Sequence, residues 1–191
     1  MIRTSGGDVT LTANDMSIGA TGTGMAIVAG SGVVTLAPYT LSRLINLGTN
    51  QNGQLGLTNS ELGYISTDRM VIGGTGQTGN ISITNNMSLP STTSLITGGT
   101  GGIGHTGNNT ISATNLELIA GTGGIDVLTN SSNVSSQSGG GIGISNSSDL
   151  NIGTQIGNTT GLTAVGDINI ESTGGSVGIE NADITSSGGA I

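Results

Sequence analysis

The chain has no cysteine, phenylalanine, tryptophan or lysine, and only two prolines and two tyrosines in 191 residues. Each shortage excludes something. Without cysteine there is no disulfide framework, although that absence does not fix a compartment. Aromatic rings usually supply much of a globular core, so the interior here must be narrow enough for Ile, Leu, Val and Ala to fill it. Arg3, Arg43 and Arg69 are the only permanent side-chain cations against eleven acids, for a net charge of −8. Binding nucleic acid or heparin requires clustered Lys and Arg, so neither is expected as a partner. No apolar run approaches the roughly 20 residues needed to cross a bilayer as a helix, and the protein is not expected to span a membrane. Met1 to Ser5 show no apolar leader, and Ser187 to Ile191 stop in mid-pattern without a capping unit. The chain is therefore expected to be a segment of a longer protein, or a subunit whose ends neighbours cover.

Gly, Ser, Thr and Asn make up 106 of the 191 residues. Such a composition can signal disorder, but disordered chains combine low hydrophobicity with high charge density. Charged residues are only 7% here and hydrophobic residues 33%, spaced evenly along the chain. Short apolar pairs recur, as in Val9-Thr10-Leu11, Ile81-Ser82-Ile83, Leu116-Glu117-Leu118, Ile168-Asn169-Ile170 and Val177-Gly178-Ile179. Each is bounded by Gly, Asn, Ser or Thr, residues that tolerate the backbone of sharp corners. A strand-turn unit of this kind cannot bury its own apolar side and must stack on copies of itself.

The clearest units have strands at 81–83, 87–89 and 95–97, then 111–113, 116–118 and 125–127, then 142–144, 150–152 and 162–164, and finally 168–170, 177–179 and 182–184. Corresponding starts are spaced by roughly 26 to 31 residues until the shorter last unit. The pattern predicts an all-β right-handed parallel β-helix (a β-solenoid) with about three short strands per coil and seven or eight coils. Alternation points Ile168 and Ile170 inward, and Asp167, Asn169 and Glu171 outward. Residues 1–37 and 70–191 read as coils of one continuous solenoid. Residues 38–69 read as an irregular insertion, with a single helical turn capped by Thr58 and Glu61.

The stretch from Leu55-Gly56-Leu57-Thr58-Asn59-Ser60-Glu61-Leu62 through Tyr64-Ile65, then Arg69-Met70-Val71-Ile72-Gly73 and Gly79-Asn80-Ile81-Ser82-Ile83, resembles the repeat region of filamentous haemagglutinin-like exoproteins of the two-partner-secretion type. The resemblance covers about thirty residues in motif and most of the chain in style. It implies a long right-handed β-helix on a bacterial surface. The family's Asn-Pro secretion motif has no counterpart here, where the nearest text is Asn50-Gln51-Asn52-Gly53. The resemblance therefore implies passenger repeat, without the targeting region.

Candidate chemistry is sparse. His105, the single histidine, sits in a Gly-rich run with no second His or Cys to join it in a metal site or triad, and is expected in an exposed loop. The runs Gly98 to Gly102 and Gly121 to Asp126 lack the lysine of a phosphate loop and the regular Asp of a calcium roll, and read as solenoid corners. Asp167, Asn169 and Glu171 share an outward face that could take a hard cation, but an outward face is also where a sheet places its charges. The three arginines are too scattered in sequence for lyase chemistry. The pairs Thr10/Thr12 and Thr21/Thr23 begin an ice-face pattern that later units break. Seven Asn-x-Ser/Thr triplets, at Asn80, Asn86, Asn108, Asn130, Asn133, Asn146 and Asn158, are expected by chance at this composition.

No catalytic, cofactor or metal residue is assigned, and no cofactor is expected. The reading is a non-enzymatic structural or adhesive segment of a secreted bacterial cell-surface fibre that stacks end to end into filaments. Its expected partners are itself and the glycans or proteins of a host or neighbouring cell. The alternative is a carbohydrate-binding or carbohydrate-cleaving β-helix.

Overall fold

The computed structural model describes every residue except Thr21 and Thr23. The latter pair of the ice-face pattern thus lies outside the described residues. The chain is a parallel β-helix: its described strands form one connected sheet of 18. Every named strand pairing is parallel, and each strand lies over its counterpart in the next coil.

One stack carries a near-continuous isoleucine column. Leu55, Ile45, Ile81, Ile103, Ile125, Ile142 and Ile168 are successive register partners. A further stack gives an eight-rung column of Leu11, Leu36, Ile72, Leu95, Leu118, Ser136, Leu162 and Ile184. Seven steps of about 4.8 Å make this stack roughly 34 Å long. Between the two, Met87, Ile111 and Thr129 line up. Most central members of these columns are wholly buried. Each buried Ile or Leu stabilises by about 1.5–3 kcal/mol, so a rod without aromatic residues still has a core.

The spacing between coils differs from the sequence expectation. Ile81, Ile103, Ile125, Ile142 and Ile168 are 22, 22, 17 and 26 residues apart. Ile103–His105 is a strand that opens a coil, but it offers one apolar residue in a Gly-rich run and so reads as a turn. Ile111, expected beneath the Ile81 position, pairs with Met87 instead. The 17-residue coil is the tightest of these, and its strand Ile125–Ser138 turns small side chains inward at Thr129, Ser131, Ser136 and Ser138. A short perimeter leaves no room for an all-Ile interior.

The segment 38–69 is less irregular than expected. Ile45–Leu47 lies directly under Ile81–Ile83, and Ile65 lies over Ile27. The helical turn Asn59–Leu62 forms with its capping box complete. Thr58 Oγ1 accepts from the Glu61 amide at 3.3 Å, and Glu61 Oε2 accepts from the Thr58 amide at 2.9 Å.

A device the sequence did not announce ties coil to coil at the corners. Asp or Asn just before a strand accepts, through Oδ1, a backbone N–H from the following coil. Asp8 does so from Val33, Asn80 from Gly102, Asn86 from Thr110, Asp149 from Ser176 and Asp167 from Ala190, at 2.7 to 3.0 Å. The carboxamide or carboxylate satisfies an amide that would otherwise be unpaired where the chain bends.

Alternation makes a direct prediction. Ile168 is buried and Asn169 is exposed on the same strand. Ile168→Lys is expected to destabilise by more than about 2 kcal/mol because it buries an unpaired charge, while Asn169→Lys leaves the melting temperature nearly unchanged. Equal effects in thermal melts would mean that the two faces are wrongly assigned.

Candidate functional site

The outer surface of the isoleucine stack holds a trough of about 540 Å³. Its geometry follows from two neighbouring columns. At the corner, one residue before each isoleucine, stand Asn80, Gly102, Gly124, Gly141 and Asp167. The carbonyls of the last four accept the amides of Ile81, Ile103, Ile125 and Ile142 at 2.8 to 3.0 Å. One residue after each isoleucine, facing outward, stand Ser82, Gly104, Asp126, Gly143 and Asn169. Five glycines therefore make a bare peptide floor. Asn80 and Ser82 close one end, Asp167 and Asn169 the other, and Asp126 rises between Gly104 and Gly143. The trough spans four coil steps, about 19 Å, and no cationic side chain lines it.

The glycines of the floor differ in kind. A side chain on Gly102 or Gly141 would press on the backbone of the neighbouring coil, and Gly124 has a φ of +76°; these are structural. Gly104 and Gly143 are not confined. A Cβ on Gly104 would meet nothing closer than 3.9 Å, and one on Gly143 would touch only the Asp126 carboxylate tip inside 3.4 Å. Neither has the backbone angles that demand glycine. Glycine inside a strand costs about 0.5–1 kcal/mol relative to alanine, so packing does not account for these two.

Of the residues singled out in the sequence, Asp167 and Asn169 line the trough while Glu171, one step further along the strand, does not. Asp167 Oδ1 is engaged by the Ala190 amide at 2.7 Å. Among the described residues no three His, Asp or Glu side chains are grouped to hold a metal ion. His105 is half-buried on a strand, at the register position of Ile83; it is not in a loop. Its Nδ1 lies 2.8 Å from the Gly107 carbonyl. That carbonyl can only accept, so Nδ1 carries a proton and donates to it. The Gly98 to Gly102 and Gly121 to Gly124 runs stack corner on corner, with the Gly121 amide donating to the Gly101 carbonyl, as expected of solenoid corners.

A second polar cluster was hidden from sequence reasoning. Arg69 and Glu117, 48 residues apart, form an ion pair of 2.8 Å on the outward side of the leucine-rich stack. Outward is not exposed in this case. The segment 153–161 folds across the sheet as a strap and leaves Glu117 with no exposed surface. Glu117 Oε1 accepts from the Asn158 amide at 2.8 Å and from Thr159 Oγ1 at 3.2 Å. Arg69 also donates to Ser94 Oγ at 2.8 and 3.1 Å. Every functional group of the pair is thus engaged within the protein, which makes the cluster a clamp across coils. The sequence offered one signal for it, a lone Glu between two leucines.

No known protein family, curated protein or solved structure matches this chain.

Proposed function

We propose that this chain is a non-enzymatic structural segment of a bacterial surface fibre, extended by stacking of its end coils and adhesive through its flanks. The observation that carries the reading is the unbroken stack: every named strand pairing is parallel and joins one coil to the next, and the apolar columns run through all of them. A coil of the same kind set against such a stack continues both the hydrogen-bond ladder and the columns. Asp183 precedes Ile184 as Asp167 precedes Ile168, so it stands where an amide of a further coil would be capped. The resemblance to filamentous haemagglutinin-like repeats adds the bacterial surface as the location. A stiff rod suits that role because it repeats weak contact surfaces at fixed spacing.

Negative-stain microscopy and sedimentation across a concentration series test this. Rods are expected to lengthen in multiples of the single-chain length as concentration rises. Ile179→Asp is expected to abolish the lengthening while leaving the melting temperature within a few degrees, because the residue is already half-exposed. Monodisperse short rods at the highest concentration would overturn the stacking.

A further inference from the structure

The geometry points to the trough over the isoleucine stack as a binding site for a neutral, hydroxyl-rich glycan chain lying along the rod axis. The inference rests on the adhesive part of the reading above and gives it a ligand class. Its foundation is the pair Gly104 and Gly143. The fold has open room for a side chain at Gly104, and at Gly143 only the tip of the Asp126 side chain would have to shift. Glycine inside a strand without a bulge or tight bend marks a place where something approaches the backbone closely. A bare peptide floor on either side of Asp126 admits the flat face of a sugar ring. The coil step of about 4.8 Å is close to the length of one ring, so successive rings meet successive coils, with Asp126 between the two open glycines.

The polar groups select the chemistry. Asp126 and Asn169 make no side-chain hydrogen bond with the protein, so the Asp126 carboxylate faces the trough as a free acceptor among the described residues. An open carboxylate beside an unpaired carboxamide calls for a ligand that donates hydrogen bonds, as sugar hydroxyls do. Two carboxylates and no cation repel sulfated or uronic chains. A single unpaired carboxylate in the middle of the floor is too little to hold a metal ion, which takes six or more oxygens in the calcium case.

The test uses the whole chain against immobilised cellohexaose, chitohexaose and mannohexaose, with hexagalacturonate and hexalysine as charged comparators. At least one neutral hexasaccharide is expected to bind and hexagalacturonate is expected not to. Gly104→Val and Gly143→Val should keep or raise the melting temperature, since valine favours strands, yet weaken binding at least roughly tenfold by filling the floor. Asp126→Ala should weaken it by a similar factor. Stable valine variants that bind as well as the parent would overturn the site, as would failure of all three neutral sugars or binding of hexalysine alone. Filament growth is read separately by microscopy, so loss of sugar binding with intact filaments removes the glycan site without touching the stacking.

Discussion

Glu117→Ala is expected to lower the unfolding free energy by about 3–5 kcal/mol, the range for breaking a buried ion pair by removing one partner. Glu117 has no exposed surface, and both its oxygens are used: one by Arg69, the other by the Asn158 amide and the Thr159 hydroxyl. Its removal leaves a guanidinium, itself only 24% exposed, facing a cavity. It also frees the strap from the sheet it covers. Gly157 shows how tightly the strap is seated. With a φ of +60°, it passes so close to the Glu117 carboxylate and the Arg69 guanidinium that any side chain would collide with both. Arg69→Ala should cost a comparable amount, because it strands the glutamate charge. The double variant should lose much less than the sum of the two, since the penalty of each single change is the unpaired partner. Urea melts give the energies, and amide exchange in 153–161 gives the strap. Single variants within about 1 kcal/mol of the parent, with strap protection unchanged, would show that the pair is no more than a surface contact.

The columns were legible because their signal is local. Ile81 and Ile83, or Leu116 and Leu118, sit two residues apart with a polar residue between, and this alternation states both strand and inward face. The Thr58–Glu61 box was legible for the same reason, since its two partners lie three residues apart. Coil phase was harder. It depends on which strand overlies which, and a short strand such as Ile103–His105 contributes only one apolar side chain to the reading. The segment 38–69 looked irregular because Ile45–Leu47 is followed by a loop and a second, closely paired strand, Leu55–Leu57, which hides the rung beneath Ile81. What no local pattern reveals is a partnership between distant residues. Arg69 reaches Glu117 across two coil steps, past Ser94, which on the intervening strand is in register with Glu117 and with Val71. The trough, likewise, exists only once Gly104 and Gly143 are aligned on either side of Asp126. In sequence they are 39 residues apart and look like any other glycine of a turn-rich chain.

Asn146→Ala is expected to destabilise by at least about 3 kcal/mol, because it orphans several buried groups at roughly 1–3 kcal/mol each. Asn146 belongs to an Asn-x-Ser triplet and sits among serines. In the fold it has no exposed surface. Its Oδ1 accepts from Thr129 Oγ1 at 2.7 Å and from the Ser131 amide at 2.9 Å. Its Nδ2 donates to the Ser148 carbonyl at 2.8 Å and to the Ser131 carbonyl at 3.2 Å. The tight 17-residue coil turns its corner here, and Asn146 satisfies the inward Thr129 hydroxyl together with the backbone amide and carbonyl of Ser131. Two further variants separate hydrogen bonding from packing. Asn146→Leu restores volume but neither donors nor acceptors, so it should remain close to the alanine variant. Asn146→Asp keeps the accepting oxygen but sets a carboxylate against two carbonyls. Burial and that repulsion raise its folded-state pKa above the ordinary value of about 3.9. Stability is then fullest below the unfolded pKa and falls as pH rises through the folded one, so this variant should melt higher at acidic than at neutral pH, relative to the parent. A leucine variant as stable as the parent would show that the coil needs only filling at this corner, and that the hydrogen bonds to Thr129, Ser131 and Ser148 contribute little.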